Sequence, residues 1–199
     1  MPSINNEIDA AVSARACLPA LKARLAIYDG FLVCCYSKHP LVQQIRDELD
    51  ALHLSDTVSG IFECSIAGCL QSINANEKFG IVSTGQQWQA ILDDAVADLL
   101  GSNSSSRYAG TRTTGLNANE LHAIPVNELN TRMKDATKQL LRRNVKAICL
   151  GCAGMAGLNE VVRDACIDFL GVDSGSRIKI IDGVVAGVSF VESALRARY

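Results

Sequence analysis

The chain has 199 residues, 48% of them hydrophobic and 5% aromatic, and a formal net charge of −2 at pH 7. This length permits one packed domain or two small ones, and neither the charge nor the few aromatic residues favour binding to nucleic acid. No apolar run reaches the ~18 residues that a membrane span needs, and residues 1–7 lack a secretory signal, so we expect a cytoplasmic protein with no membrane partner.

Apolar periodicity predicts alternating helices and strands. The expected helices cover residues 11–25, 41–52, 63–75, 88–100, 130–143, 158–170 and 184–197, and the expected strands cover residues 28–35, 58–62, 79–83, 145–150 and 177–181. Residues 101–118 are rich in Gly, Ser, Asn and Thr, which predicts a mobile loop with a short strand around residues 108–111. Strands separated by helices of this length predict an α/β fold with a largely parallel sheet.

Two cysteines occur where an apolar strand breaks into a turn of small residues ahead of a helix. Cys35 ends the run at 28–35, and Cys152 follows the strand at 145–150. In a sheet covered by helices, ligands bind at the carboxyl ends of the strands. We therefore expect Cys35 and Cys152 to be catalytic, as two proton-transfer groups that face one substrate from opposite sides.

Two such thiols could invert a carbon acid, because a thiolate removes its proton while a thiol supplies one to the opposite face. A helix N-terminus can lower the pKa of cysteine from ~8.5 towards neutrality, and both cysteines precede predicted helices. The turns after them offer backbone N–H groups for a carboxylate or an enolate-like oxygen, from Tyr36, Ser37, Ala153 and Gly154. This chemistry needs no metal and no organic cofactor.

The remaining cysteines have a simpler interpretation. Eight cysteines without a secretory signal indicate reduced thiols rather than disulfides. Free cysteine behaves as a small buried hydrophobic residue, and this is the expectation for Cys17, Cys64, Cys69, Cys149 and Cys166.

A metal site is an alternative for the second cysteine turn. Cys149 and Cys152 have the Cys-x-x-Cys spacing of a redox or zinc site. Cys149 lies inside an apolar strand, however, and adjacent Cys34 and Cys35 with His39 would form a poor second ligand pair for a tetrahedral ion. We therefore predict no metal. His39 could tune Cys35 or cap the next helix, and we favour the cap.

A dinucleotide-binding domain is a further alternative. Gly151-x-x-Gly154-x-x-Gly157 follows a strand and precedes a helix, a strand and Asp182, which is similar to a dinucleotide-binding unit. The glycine spacing differs from Gly-x-Gly-x-x-Gly, and this hypothesis leaves the turn at Cys35 unexplained.

Four stretches resemble the Asp/Glu/hydantoin racemase superfamily, most of all its fungal allantoin/hydantoin-racemase-like branch. They are YDGFLVCCYSKHPL (28–41), FGIVSTG (79–85), AICLGCAGMAGL (147–158) and IIDGVVAGV (180–188). The resemblance implies two pseudo-symmetric flavodoxin-like lobes with parallel sheets and the active site between them. On this chain, residues 1–77 plus 182–199 would form the first lobe and residues 78–181 the second.

The resemblance also implies site residues. Cys35 matches the family's first catalytic cysteine and Cys152 its second, while Ser83, Thr84 and Gly85 match a turn that contacts polar groups of the substrate. Family members with only one of these thiols act as decarboxylases, so the presence of both favours racemisation. The implied protein is a cofactor-independent racemase or epimerase of nitrogen metabolism. Its small-molecule substrate would be an amino-acid derivative such as a hydantoin or allantoin.

One departure from the family concerns the start of the chain. Family members open with a central β-strand that ends in a substrate-contacting loop, whereas residues 1–21 are similar to the stretch after that strand. We therefore expect two neighbouring strands to lack a ladder partner, at about 1–3 kcal/mol for each orphaned backbone group. This predicts an incomplete first lobe and impaired activity, unless another chain supplies the strand.

The alternative hypothesis is a truncated, non-catalytic homologue that acts as a binding partner of full-length relatives. Because symmetric assembly is common among small enzymes, a homo-oligomer is also expected.

Overall fold

A computed structural model describes residues 3–197 as alternating helices and parallel strands. The helices are α1 (Glu7–Lys22), α2 (Pro40–Ala51), α3 (Ile61–Ser72), α4 (Trp88–Leu100), α5 (Val126–Leu141), α6 (Asn159–Leu170), α7 (Val172–Gly175) and α8 (Gly183–Ala197). The strands are β1 (Gly30–Val33), β2 (Thr57–Gly60), β3 (Lys78–Ser83), β4 (Tyr108–Thr113), β5 (Val145–Leu150) and β6 (Lys179–Asp182).

The strands form two parallel sheets, which confirms the predicted α/β class. β1 pairs with β2, and the larger sheet has the order β4-β3-β5-β6. Helix α8 packs against α3 and both strands of the smaller sheet. The division into lobes at 77/78 and 181/182 stays a prediction, and residues 1, 2, 198 and 199 of the first lobe lie outside the described part of the chain.

The expectation that two strands would lack a ladder partner is wrong. β1 and β2 pair directly, from Gly30 opposite Thr57 to Val33 opposite Gly60. The N–H of Thr57 also donates to the carbonyl of Asp29 at 3.2 Å. Each strand therefore satisfies one backbone edge of the other, and the expected cost of orphaned groups along that edge does not arise.

The segment predicted to be a mobile loop contains a complete strand. β4 pairs with β3 as an edge strand of the larger sheet, with a register irregularity between Phe79 and Ile81. Gly110, in the middle of β4, has a φ of 101°. A bulge of this kind breaks the two-residue alternation that identifies strands, which explains why periodicity indicated only a short one.

Helix boundaries follow their caps. The side chain of Asn6 accepts the N–H of Asp9 at 2.9 Å, so α1 begins before the predicted residue 11, and Pro19 lies within it without ending it. The predicted cap at His39 is confirmed, because its Nδ1 accepts the N–H of Leu41 at 3.2 Å. Gly101 ends α4 in the left-handed conformation, with a φ of 65°.

The two central strands of the larger sheet are buried on both faces. Phe79, Ile81 and Cys149 pack on one face with residues of α3 and α4, while Val82 and Leu150 pack on the other with residues of α5 and α6. A third core joins the smaller sheet to α1 and α2. This arrangement accounts for the nearly continuous apolar sequence of β3 and β5.

Four of the cysteines expected in the core are buried: Cys64, Cys69, Cys149 and Cys166. Cys17 is exposed on α1, so the expectation of burial is wrong there. Within residues 3–197, none of the helices combines the length and the apolar character that crossing a membrane requires.

Candidate active site

A cleft of about 380 Å³ opens at the carboxyl ends of β1, β3 and β5. The turn after β1 contributes Cys34, Cys35 and Tyr36, the turn after β3 contributes Thr84, and the turn after β5 contributes residues 151–154. Parallel strands place their carboxyl ends on one edge of a sheet, so residues far apart in the chain meet here. Both predicted cysteine turns therefore border one cavity.

The two candidate catalytic thiols are partly buried in this cleft. The Sγ of Cys35 lies 3.5 Å from the Oγ of Ser37, and the Sγ of Cys152 accepts the N–H of Gly154 at 3.4 Å. Each sulfur thus has a polar partner from its own turn. Such partners stabilise the negative charge of a thiolate.

The pKa of each thiol is nevertheless raised. Burial raises the pKa of Cys35, the Ser37 hydroxyl partly offsets this, and the charge of Cys152 raises it further. Burial likewise raises the pKa of Cys152 against the backbone hydrogen bonds of Gly154 and Met155. Both cysteines are therefore thiols at neutral pH.

The expectation that helix N-termini lower these pKa values is wrong. Helix α2 begins only at Pro40, and Cys152 caps a single 3₁₀ turn, Ala153–Met155, rather than a long helix. A short turn has little macrodipole, so desolvation dominates.

Tyr36 and Ser37 have their polar atoms occupied inside the protein. The hydroxyl of Tyr36 accepts a hydrogen bond from Ser65 Oγ at 2.8 Å, and its ring meets Phe62 edge-on with the centroids 5.6 Å apart. Ser37 is buried, and its N–H donates to the carbonyl of Cys35 at 3.0 Å. Tyr36 lines the cleft, whereas Ser37 lines a neighbouring one.

Of the predicted turn after β3, Thr84 lines the cleft, and Ser83 and Gly85 lie outside its lining. Ser83 is buried and donates its hydroxyl to the carbonyl of Gly151 at 2.9 Å, which ties the end of β3 to the end of β5. The carbonyl of Gly85 accepts the N–H of Trp88 at 3.0 Å, at the start of α4. A substrate-binding role for these residues remains a prediction.

Sequence reasoning missed several residues of the cleft wall. Asn119 and His122 reach it from the connection between β4 and α5, and Trp88 and Ile4 add apolar surface. The Nε2 of His122 lies 3.7 Å from the position that a Cβ on Gly154 would occupy. Asn119 and His122 follow the carboxyl end of β4, where ligands often bind. The sequence could have indicated them only if the full extent of β4 had been predicted.

The residues considered for a metal or redox site and for a dinucleotide-binding site have structural roles or lie apart. Cys149 is buried beside Cys69, with the sulfurs 3.1 Å apart, while Cys152 faces the cleft, so the Cys-x-x-Cys spacing does not form one site. Within residues 3–197, no group of three or more potential metal ligands of the His, Cys, Asp or Glu type occurs. Asp182 accepts the N–H groups of Val184 and Val185 at 2.8 and 3.2 Å, and so caps α8.

The fold and the cleft define an α/β protein with parallel sheets and a cavity at the strand ends that two thiols border. The family model for Asp/Glu/Hydantoin racemase matches residues 1–191, and the chain belongs to this family. The predicted family and its fold are thereby confirmed.

Individual relatives agree with this assignment. An uncharacterised protein of Schizosaccharomyces pombe is 32% identical over 169 residues, which are 84% of this chain and 63% of the relative. The hydantoin racemase of Pseudomonas sp. is 30% identical over 165 residues, which are 83% of this chain and 57% of that protein. The chain thus spans less than two thirds of the length of both.

A solved structure shows the same fold. The allantoin racemase from Klebsiella pneumoniae superposes with a TM-score of 0.77 at 24% identity, and the match covers 99% of this chain and 72% of the other. It supports the architecture of parallel α/β layers described above.

Proposed function

We propose that the protein is a cofactor-independent racemase or epimerase that inverts the α-carbon of a neutral amino-acid derivative, such as a hydantoin or allantoin. Cys35 and Cys152 would act as the paired acid and base. The observation that carries the proposal is that both thiols border one cleft in a member of a racemase family. A cytoplasmic location and a homo-oligomeric state remain predictions.

In the proposed reaction, one cysteine acts as a thiolate and removes the α-hydrogen of the bound substrate. The other remains a thiol and donates its proton to the opposite face of the resulting carbanion. The first sulfur then carries a proton and the second a charge, so the roles are reversed for the opposite enantiomer. The Ser37 hydroxyl would stabilise the thiolate of Cys35, and the N–H of Gly154 that of Cys152.

Mutual repulsion disfavours the state in which both sulfurs are ionised, so a cleft that loses one proton holds one thiolate and one thiol. A charge on Cys152 raises the pKa of Cys35, so ionisation of one thiol disfavours ionisation of the other. A mixed thiolate–thiol pair is the state that a proton transfer through the stereocentre requires. The geometry of the cleft therefore supports an acid and a base of identical chemistry.

The polarity of the cleft supports a neutral ring as substrate. Thr84, Asn119 and His122 supply polar groups, and the described lining contains no lysine or arginine. A free carboxylate would find no fixed cation there, whereas ring amides can exchange hydrogen bonds with neutral side chains and backbone. We assign the enolate-like oxygen to the backbone N–H groups of Tyr36 and Ala153, because those of Ser37 and Gly154 have partners within their turns.

The test is incubation of the purified protein with enantiopure allantoin and 5-substituted hydantoins in heavy water. We expect decay of optical rotation together with exchange of the α-hydrogen, and loss of both in the Cys35→Ser/Cys152→Ser double variant. Full turnover by the double variant would overturn the proposal. Binding to a full-length relative without any turnover would favour the alternative of a non-catalytic partner.

A further inference from the structure

Cys69 and Cys149 form a sulfur pair that the proposed reaction does not use. Cys69 lies on α3 and Cys149 on β5, and their sulfurs are 3.1 Å apart. Both side chains are 0% exposed. Eighty positions separate them in the chain, so only the packing of α3 on the larger sheet brings them together.

The pair belongs to a buried polar group behind the cleft. The Sγ of Cys149 lies 3.6 Å from the carbonyl of Ser65, whose hydroxyl donates to Tyr36. Burial raises the pKa of Cys149, but its hydrogen bonds with Cys69, Tyr36 and Ser65 outweigh burial and lower the pKa overall. The pKa of Cys69 is raised, first by its hydrogen bond to Cys149 and then by burial. Of the two sulfurs, Cys149 is therefore the one that loses its proton more readily, and Cys69 lies within hydrogen-bond distance of it.

We propose that Cys69 and Cys149 are a modification site, at which a hydroperoxide converts the two thiols into a reversible disulfide. Cys149 gives up its proton and attacks the peroxide, the O–O bond breaks, and Cys149 becomes a sulfenic acid, while the leaving hydroxide takes the proton of the Cys69 thiol and departs as water. The Cys69 thiolate then attacks the sulfenic sulfur and forms the S–S bond, and the hydroxide that leaves takes up the proton first lost by Cys149 and departs as a second water. Two thiols lose two electrons, the peroxide gains them, and a dithiol reductant reverses the reaction.

Because both sulfurs are completely buried, only a small oxidant can reach them. A bulky alkylating reagent cannot reach a side chain that is 0% exposed, whereas hydrogen peroxide is close to water in size and can enter through local opening. The bond would fasten α3 to β5, the strand that leads to Cys152. This proposal is independent of the proposed racemase activity, because neither sulfur lines the cleft.

The sequence provides a clean assay for the link. Trypsin releases residues 47–78, which contain Cys64 and Cys69, and residues 147–163, which contain Cys149 and Cys152. In a Cys64→Ala/Cys152→Ser background, each peptide keeps a single cysteine. Treatment of the folded protein with hydrogen peroxide, followed by alkylation and non-reducing digestion, should yield the two peptides joined, with the mass of both less two hydrogens. Dithiothreitol should separate them.

The matched control is Cys166, which is also 0% exposed and whose pKa burial raises to about 11. Its tryptic peptide, residues 164–177, should be recovered unlinked and alkylated after unfolding. Fragment ions of the wild-type peptides check the same link without any substitution. Recovery of Cys69 and Cys149 as separate alkylated peptides, or a link from Cys35 to Cys152 alone in the wild-type, overturns the proposal.

A second readout is thermal unfolding. A disulfide that closes a long loop stabilises the folded chain, so the oxidised protein should melt about 5–10 °C above the reduced protein. Cys69→Ser keeps a hydroxyl beside Cys149 but cannot form the bond, and its melting temperature should not rise on oxidation. An equal rise in the wild-type and in Cys69→Ser contradicts the proposal.

Discussion

The thiol of Cys35 and that of Cys152 follow strands of different sheets yet share one electrostatic environment. Both line the same cleft, and the charge of Cys152 raises the pKa of Cys35. This coupling gives the cleft two groups of equal chemistry that cannot easily ionise together.

Replacing one thiol should separate proton removal from inversion. In Cys35→Ser or Cys152→Ser, inversion should fall by about 10²–10⁴-fold, because one of the two proton-transfer groups is lost. The remaining thiol should still exchange the α-hydrogen of the one enantiomer whose hydrogen faces it. Proton NMR of each enantiomer in heavy water measures this. Cys17→Ser, on the exposed face of α1, is the control; wild-type exchange of both enantiomers by either single variant contradicts the assignment.

Ser37 should tune only the first thiol. Its Oγ lies 3.5 Å from Cys35 and lowers the pKa of that thiol, so Ser37→Ala should raise the pKa and reduce the thiolate fraction at mildly alkaline pH. Alkylation of Cys35 by iodoacetamide should slow roughly three- to tenfold. Peptide mapping follows both cysteines at once, and the rate at Cys152 serves as the internal reference. A similar slowing at both sites would indicate a general change of the cleft instead.

Gly151 should not tolerate a side chain, because it directly follows β5 and lies against the end of β3. A Cβ there would lie 2.6 Å from Cγ2 of Ile81 and 2.9 Å from the carbonyl oxygen of Val82. We expect Gly151→Ala to lower the free energy of unfolding by about 1–3 kcal/mol in urea titrations. Gly68→Ala is the matched control, since its Cβ would lie 3.5 Å from Ile181 and alanine favours a helix. Equal stability of the two variants would refute this account of the strand ends.

His39 should make stability fall in mild acid. Its Nδ1 caps α2 as an acceptor, and burial lowers its pKa. The unfolded chain, with a histidine pKa of ~6.5, then binds the proton more readily than the folded one, so the free energy of unfolding decreases as pH falls through that value. His39→Asn keeps a cap acceptor that does not titrate. Between about pH 7 and about pH 5, the urea midpoint of unfolding should decrease more for the wild-type than for His39→Asn. An equal decrease in the two proteins contradicts the prediction.

Local sequence patterns were sufficient for most secondary structure. The apolar runs of β3 and β5, the cap at His39 and the glycine that ends α4 are interactions among residues close in the chain, and each was predicted. At β4 the same logic predicted only a short strand around residues 108–111 within a mobile loop, because Gly110 interrupts the alternation and the pairing with β3 stabilises the full strand. Backbone hydrogen bonds to a distant strand leave no local signature.

The candidate site divides in the same way. The sequence by itself determined the two cysteine turns and the family they belong to, because those features are contiguous motifs. Only the tertiary structure decided that β1 pairs directly with β2, that the Tyr36 hydroxyl turns inward to Ser65, and that His122 joins the cleft wall. The direction of a side chain and the neighbours it meets depend on how layers pack, and packing is settled by contacts between residues far apart in the chain.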